Sequence, residues 1–74
     1  MRLIRVTSDD WEGLYLDGKL IAQNHSVDLF DELRRYLKDN GTLVLDSVRS
    51  KTVDEDWIES VGQLPDKLDD IPKV

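Results

Sequence analysis

Cysteine is absent from the 74 residues, which removes disulfides and thiolate metal sites and leaves stability to packing, turns and helix caps. Glycine occurs four times, singly, at Gly13, Gly18, Gly41 and Gly62, so there is no glycine-rich loop to cradle a phosphate. Apolar runs stop at three residues, as in Leu14-Tyr15-Leu16 and Leu43-Val44-Leu45, and Arg5 interrupts the N-terminal stretch. No membrane span or targeting segment is expected, and a soluble, cytoplasmic protein is the reading. Histidine occurs once. His25 has Ser26 beside it, but a nucleophilic triad also needs an orienting carboxylate, and Ser26 is better explained as a helix cap. The pairs and triplets Asp9-Asp10, Asp54-Glu55-Asp56 and Asp69-Asp70 lack the spacing and central glycine of a calcium loop. Catalytic, cofactor and metal sites are therefore not expected, and the chain reads as a non-enzyme.

What is present is a patterned globular composition, 39% hydrophobic and 35% charged. At 8.6 kDa there is room for a single domain, residues 1–74, burying about 60–65% of its unfolded surface. The net charge of −6 is uneven: residues 1–38 carry six Lys/Arg against seven Asp/Glu, and residues 39–74 carry four against nine. This acidity argues against direct binding to nucleic acid or an anionic membrane, both of which need clustered positive charge. A partner with a basic surface is the natural expectation.

Residues 2–7 alternate as a strand, with Ile4 and Val6 on one side, and Ser8-Asp9-Asp10 supplies turn chemistry. Asp17-Gly18 between two β-prone runs predicts a two-residue hairpin loop, pairing Leu16 with Lys19, Tyr15 with Leu20, Leu14 with Ile21 and Gly13 with Ala22. Ser26 is a candidate N-cap for a helix to Asn40, whose stripe of Leu29, Phe30, Leu33, Tyr36 and Leu37 is expected to face the core. On this reading Phe30, Leu33 and Leu37 pack on Ile4, Val6 and one face of the hairpin. Thr42 to Val48 reads as a further strand. Thr52-Val53-Asp54-Glu55 matches a capping box, predicting a short helix from about Val53 to Val61 with Trp57, Ile58 and Val61 inward and Gly62 as its stop. Leu64, Leu68 and Ile71 space apolar anchors along an acidic tail that reads as a strap over the core. The expected class is α+β, a three- to four-stranded antiparallel sheet packed by one main helix, with the short C-terminal helix and acidic strap added.

The motifs Asp10-Trp11-Glu12-Gly13-Leu14-Tyr15, His25-Ser26, and Trp57 followed by Gly62-x-Leu64-Pro65-x-x-Leu68 together resemble small uncharacterised acidic proteins encoded by bacteriophages and prophages. The resemblance touches about half the chain and carries no catalytic or ligand residues. It implies a phage-like genomic context and a bacterial-cytoplasm setting.

Trp11 and Trp57 are a large aromatic load for so small a core, and tryptophan is enriched at binding hot spots. Trp57 sits among Asp54, Asp56 and Glu59, so these four residues are the candidate protein-binding set. The expected function is an accessory protein acting by protein-protein binding, in a phage setting directed at a host factor. Two alternatives stand beside it: an oligomeric small-molecule sponge or sensor with Trp11 or Tyr15 stacking on the ligand, and a DNA-mimic inhibitor whose carboxylates stand in for phosphates; a homodimer is compatible with each of these readings.

Overall fold

The computed structural model describes residues 1–72. Along the chain lie β1 (Arg2–Thr7), β2 (Glu12–Leu16), β3 (Lys19–Asn24), α1 (Leu29–Asn40), β4 (Ser47–Thr52), α2 (Glu55–Val61) and a single 3₁₀ turn, Leu68–Asp70. The class is α+β, with one four-stranded sheet in the order β3-β2-β1-β4. β1, β2 and β3 form an antiparallel meander, whereas β4 runs parallel to β1. The sheet is thus mixed, because α1 carries the chain back along the sheet before β4 starts, as a parallel neighbour requires. Among the described residues no helix is long and apolar enough to cross a membrane.

The hairpin turns at Asp17 (φ 51°) and Gly18 (φ 82°), the paired positive φ of a type I′ loop. Leu16 faces Lys19 and Tyr15 faces Leu20 as expected, but the ladder then slips, and Leu14 pairs with Ala22 and Gly13 with Gln23. Ile21 is the extra residue of a β-bulge, and Ile21 and Ala22 both pack on the α1 side of the sheet while Leu20 packs on the other. A bulge re-aims the strand beyond it. Here it sets Gln23 opposite Gly13, where Gln23 Oε1 accepts from Trp11 Nε1 (2.9 Å) and from the Leu64 amide (2.8 Å).

Each face of the sheet has its own cover. Leu3, Leu14, Leu16 and Val27 are buried beneath Leu29, Leu33 and Tyr36 of α1 and beneath Leu43 and Leu45. Ile4, Val6 and Tyr15 are buried on the opposite face with Val53, Ile58 and Leu64. This overturns the expected core: α1 lies on the Leu3 face and does not pack on Ile4 and Val6, and Phe30 is 78% exposed.

Three boundaries also move. The N-cap of α1 is Asp28, which accepts from the amides of Phe30 and Asp31, not Ser26. The residue between them, Val27, is buried, and its amide donates to Glu12 Oε1 (2.9 Å), so the chain is pinned before the helix can start. The fourth strand spans Ser47–Thr52 rather than Thr42 to Val48, because Leu43 and Leu45 are spent as anchors under α1. The capping box does not form: Thr52 ends β4 opposite Thr7, and the N-cap of α2 is Asp54, which accepts from the Asp56 amide. In α2 Ile58 is buried and Trp57 half-buried, while Val61 is exposed rather than inward.

The tail is a strap with backbone pairing. The Leu20 amide donates to Asp66 O and the Leu68 amide to Gly18 O, both at 2.8 Å, and the Tyr15 hydroxyl donates to Pro65 O. Leu64, 2% exposed, seats on the bare Cα of Gly13, where a Cβ would overlap its Cδ1.

Two outcomes test this arrangement. Leu64→Ala should cost about 2–5 kcal/mol, a large share of the stability of so small a domain, as read by urea unfolding; a loss below ~0.5 kcal/mol would mean that the tail lies loosely on the surface. Burial first, then the Asp66 and Asp70 carboxylates, push the Tyr15 hydroxyl up from 10.0 to about 12. A folded pKa raised above the unfolded one gives stability that is whole below the unfolded value and is lost as pH rises through the folded one. The protein should therefore lose stability between pH 10 and about 12, and Tyr15→Phe should flatten that slope and remove the late phenolate absorbance.

Candidate acidic binding cleft

The turn between β1 and β2 is closed by the Ser8 amide donating to Trp11 O (2.8 Å), a tight connection that leaves Asp9 and Asp10 exposed at its tip. Trp11 packs against the Ile4 face and is oriented by its bond to Gln23. The His25 ring meets Trp11 edge to face, with centroids 5.0 Å apart and planes at 79°, an arrangement the ring quadrupole favours. His25 Nδ1 lies 3.0 Å from Asp10 O; a carbonyl can only accept, so this nitrogen carries the proton. The sole histidine therefore props an aromatic wall.

The other wall is α2. Because β4 runs parallel to β1 with Thr52 beside Thr7, both strands end at the same edge of the sheet, and the segments following them are neighbours. Asp9-Asp10 follows one strand and Asp54-Glu55-Asp56 the other. Glu55 and Glu59, four apart on one flank of α2, line a cleft of about 270 Å³ together with Asp10, Trp11, His25 and the buried Ile58. Among the described residues no lysine or arginine lines it. The Glu55 carboxyl is raised above its ordinary 4.5, first by a hydrogen bond with Asp9 and by the charge of Asp9, then by desolvation, Glu59 and Asp10. Like charges set close together disfavour the ionised form.

The four residues singled out from the sequence do not share this site. Glu59 reaches the cleft. Asp54 is occupied as the cap of α2 and Asp56 is exposed, while Trp57 packs against the core cluster that Leu68 and Ile71 also flank. The aromatic wall is Trp11, and Glu55 and Asp10 were not anticipated as its companions. The signal that could have united them, the two acidic runs each just after a strand, has meaning only once those strands are known to be parallel neighbours. A larger groove of about 480 Å³ between β4 and the tail is lined mainly by Val6, Val53, Leu68, Ile71 and Pro72, with Lys51 and Thr52, and gathers little polar chemistry.

Comparison with protein-family models, with curated proteins and with solved structures returns no match. The cleft is therefore read on its own chemistry.

That chemistry carries a pH dependence. The raised Glu55 pKa means a stabilising contribution that is complete below the unfolded carboxylate value of 4.5 and is lost as pH rises through the folded value. Replacing Glu55 by Gln keeps a hydrogen-bonding partner for Asp9 and removes the repulsion. The melting temperature of Glu55→Gln relative to wild type should be higher at pH 7 than at pH 4; an equal difference at both would mean that the two carboxyls do not interact.

Proposed function

We propose that this protein is a small acidic binding module for a basic partner protein, and that the cleft takes an arginine or lysine side chain of that partner between the Trp11 ring and the carboxylates of Glu55 and Glu59. The observation that carries this reading is the convergence of Asp10, Glu55 and Glu59 beside the Trp11 ring in one cleft, with no lysine or arginine among the described residues that line it. A guanidinium or ammonium entering there would relieve the carboxylate repulsion and meet the ring at the same time, and an aromatic face adds to cation affinity. Rim charges would also steer the approach of a basic surface. The phage resemblance supplies the setting in this proposal: an accessory protein acting on a bacterial host factor. Of the two aromatics in the small-molecule alternative, Tyr15 is fully buried with its hydroxyl committed to Pro65 and cannot stack on a ligand, which leaves Trp11 as its stacking residue.

The test is binding of a short fluorescent oligo-arginine peptide, followed by anisotropy at low and high salt. The wild type should bind with an affinity that falls as salt rises. Glu55→Gln/Glu59→Gln should weaken binding roughly tenfold, and Asp69→Asn/Asp70→Asn, which makes the same change in net charge on the tail, should leave it near wild type. Equal losses from both pairs would reduce the effect to overall charge and refute a localised site.

A further inference from the structure

Helix α1 is only half used by the fold. Leu29, Leu33 and Tyr36 face the sheet, yet none of its twelve residues is fully buried. One flank, with Glu32, Arg35 and Asp39, borders Ile21 of β3. Helical periodicity places Phe30 and Leu37 on the opposite flank, toward β4. Phe30, the sole phenylalanine, is 78% exposed and Leu37 43% exposed. Val48, 58% exposed, stands on the same face of the sheet, since it pairs with Leu3. Together these three side chains leave an apolar area on the order of 300 Å² exposed, at the lower end of the largest patches that monomers carry.

We infer that a second copy of this chain covers that flank, with the two α1 helices packed antiparallel about a two-fold axis. The charge order of α1 selects this occupant. Asp28, Asp31 and Glu32 stand at its start, Arg34 and Arg35 at its middle, and Lys38 with Asp39 in its last turn. Phe30 and Leu37 are seven residues apart, two helical turns, and so lie on one stripe. Antiparallel pairing about the middle of that stripe sets Phe30 against Leu37 of the second copy and brings Asp31 within side-chain reach of Lys38 of the second copy, twice over, with the two Arg34 side chains flanking the axis. A self-complementary patch of this kind is what a two-fold interface requires. The opposed helices also place each acidic start near the positively charged half of the other, while parallel packing would bring like charges together. One short helix flank is small beside the ~800 Å² per partner of a standard interface, so the dimer dissociates on dilution. The acidic cleft is built on the opposite side of the sheet and stays open in it.

Sedimentation equilibrium of the intact protein, from low micromolar to near-millimolar concentration, provides the test. The expected result is a shift from the 8.6 kDa chain to twice that mass. Phe30→Glu, at a position too exposed to threaten the fold, should weaken association by about thirtyfold or more with the far-ultraviolet circular dichroism unchanged. Asp31→Lys and Lys38→Asp should each weaken it, and the double variant should restore it. A protein that stays monomeric at every concentration overturns the inference. So does a dimer that survives Phe30→Glu, and a double variant that fails to recover overturns the antiparallel arrangement.

Discussion

The need to bury β2 on both faces governs this structure. From Gly13 to Leu16 every residue of that strand is buried, so one helix on one side of the sheet could not suffice. Leu14 and Leu16 are sealed by α1 and the chain leading out of it, and Tyr15 by α2 and the tail. A chain without cysteine has only apolar burial and hydrogen bonds with which to do this. The strap is therefore part of the core, and its deepest residue, Leu64, needs Gly13 to be a glycine.

The same constraint produces the acidic cleft. A cover for the Tyr15 face must start where β4 ends, and β4 ends beside β1. Two acidic segments separated by more than half the chain are thereby set against each other. Their repulsion is tolerated because they meet at the solvent boundary, where water weakens the Coulomb interaction. Glu12 shows the opposite case: half-buried, it accepts both from the Val27 amide and from Arg5 at 2.8 Å, and these bonds hold its pKa down. A satisfied Glu12 and a Glu55 set among other carboxylates are the two outcomes this packing leaves for its half-buried acids.

Local chemistry made much of the fold legible. Asp17-Gly18, Asn40-Gly41 and Gly62 announce a hairpin and two helix ends, because positive φ is a property of the residue itself. The α+β class and the strap followed from apolar spacing. What local chemistry hid was contextual. The stripe of α1 gave no sign that half of it would stay exposed, since periodicity reports a face and not its partner. The edge strand Ser-Val-Arg-Ser-Lys-Thr lacks apolar alternation because an outer strand has little to bury, so the more apolar Thr42 to Leu45 drew attention from it. Thr52 and Asp54 both suit an N-cap, and the choice was settled by the pairing of Thr52 with Thr7. The cleft depended on that pairing and was out of reach of any local pattern.

The parallel pairing of β1 with β4 also sets an order in time. The meander β1-β2-β3 joins neighbours in sequence and closes with short loops. Bringing Arg2 beside Ser47, or the Tyr15 hydroxyl to Pro65 across 50 positions of chain, requires much larger loops to close before any contact repays the lost entropy. The hairpin is thus the part that can assemble early, and the face that carries Tyr15 stays wet until Leu64, Leu68 and Ile71 arrive. In a chain emerging from a ribosome, most of the sheet can be in place before the strap that seals it has been made.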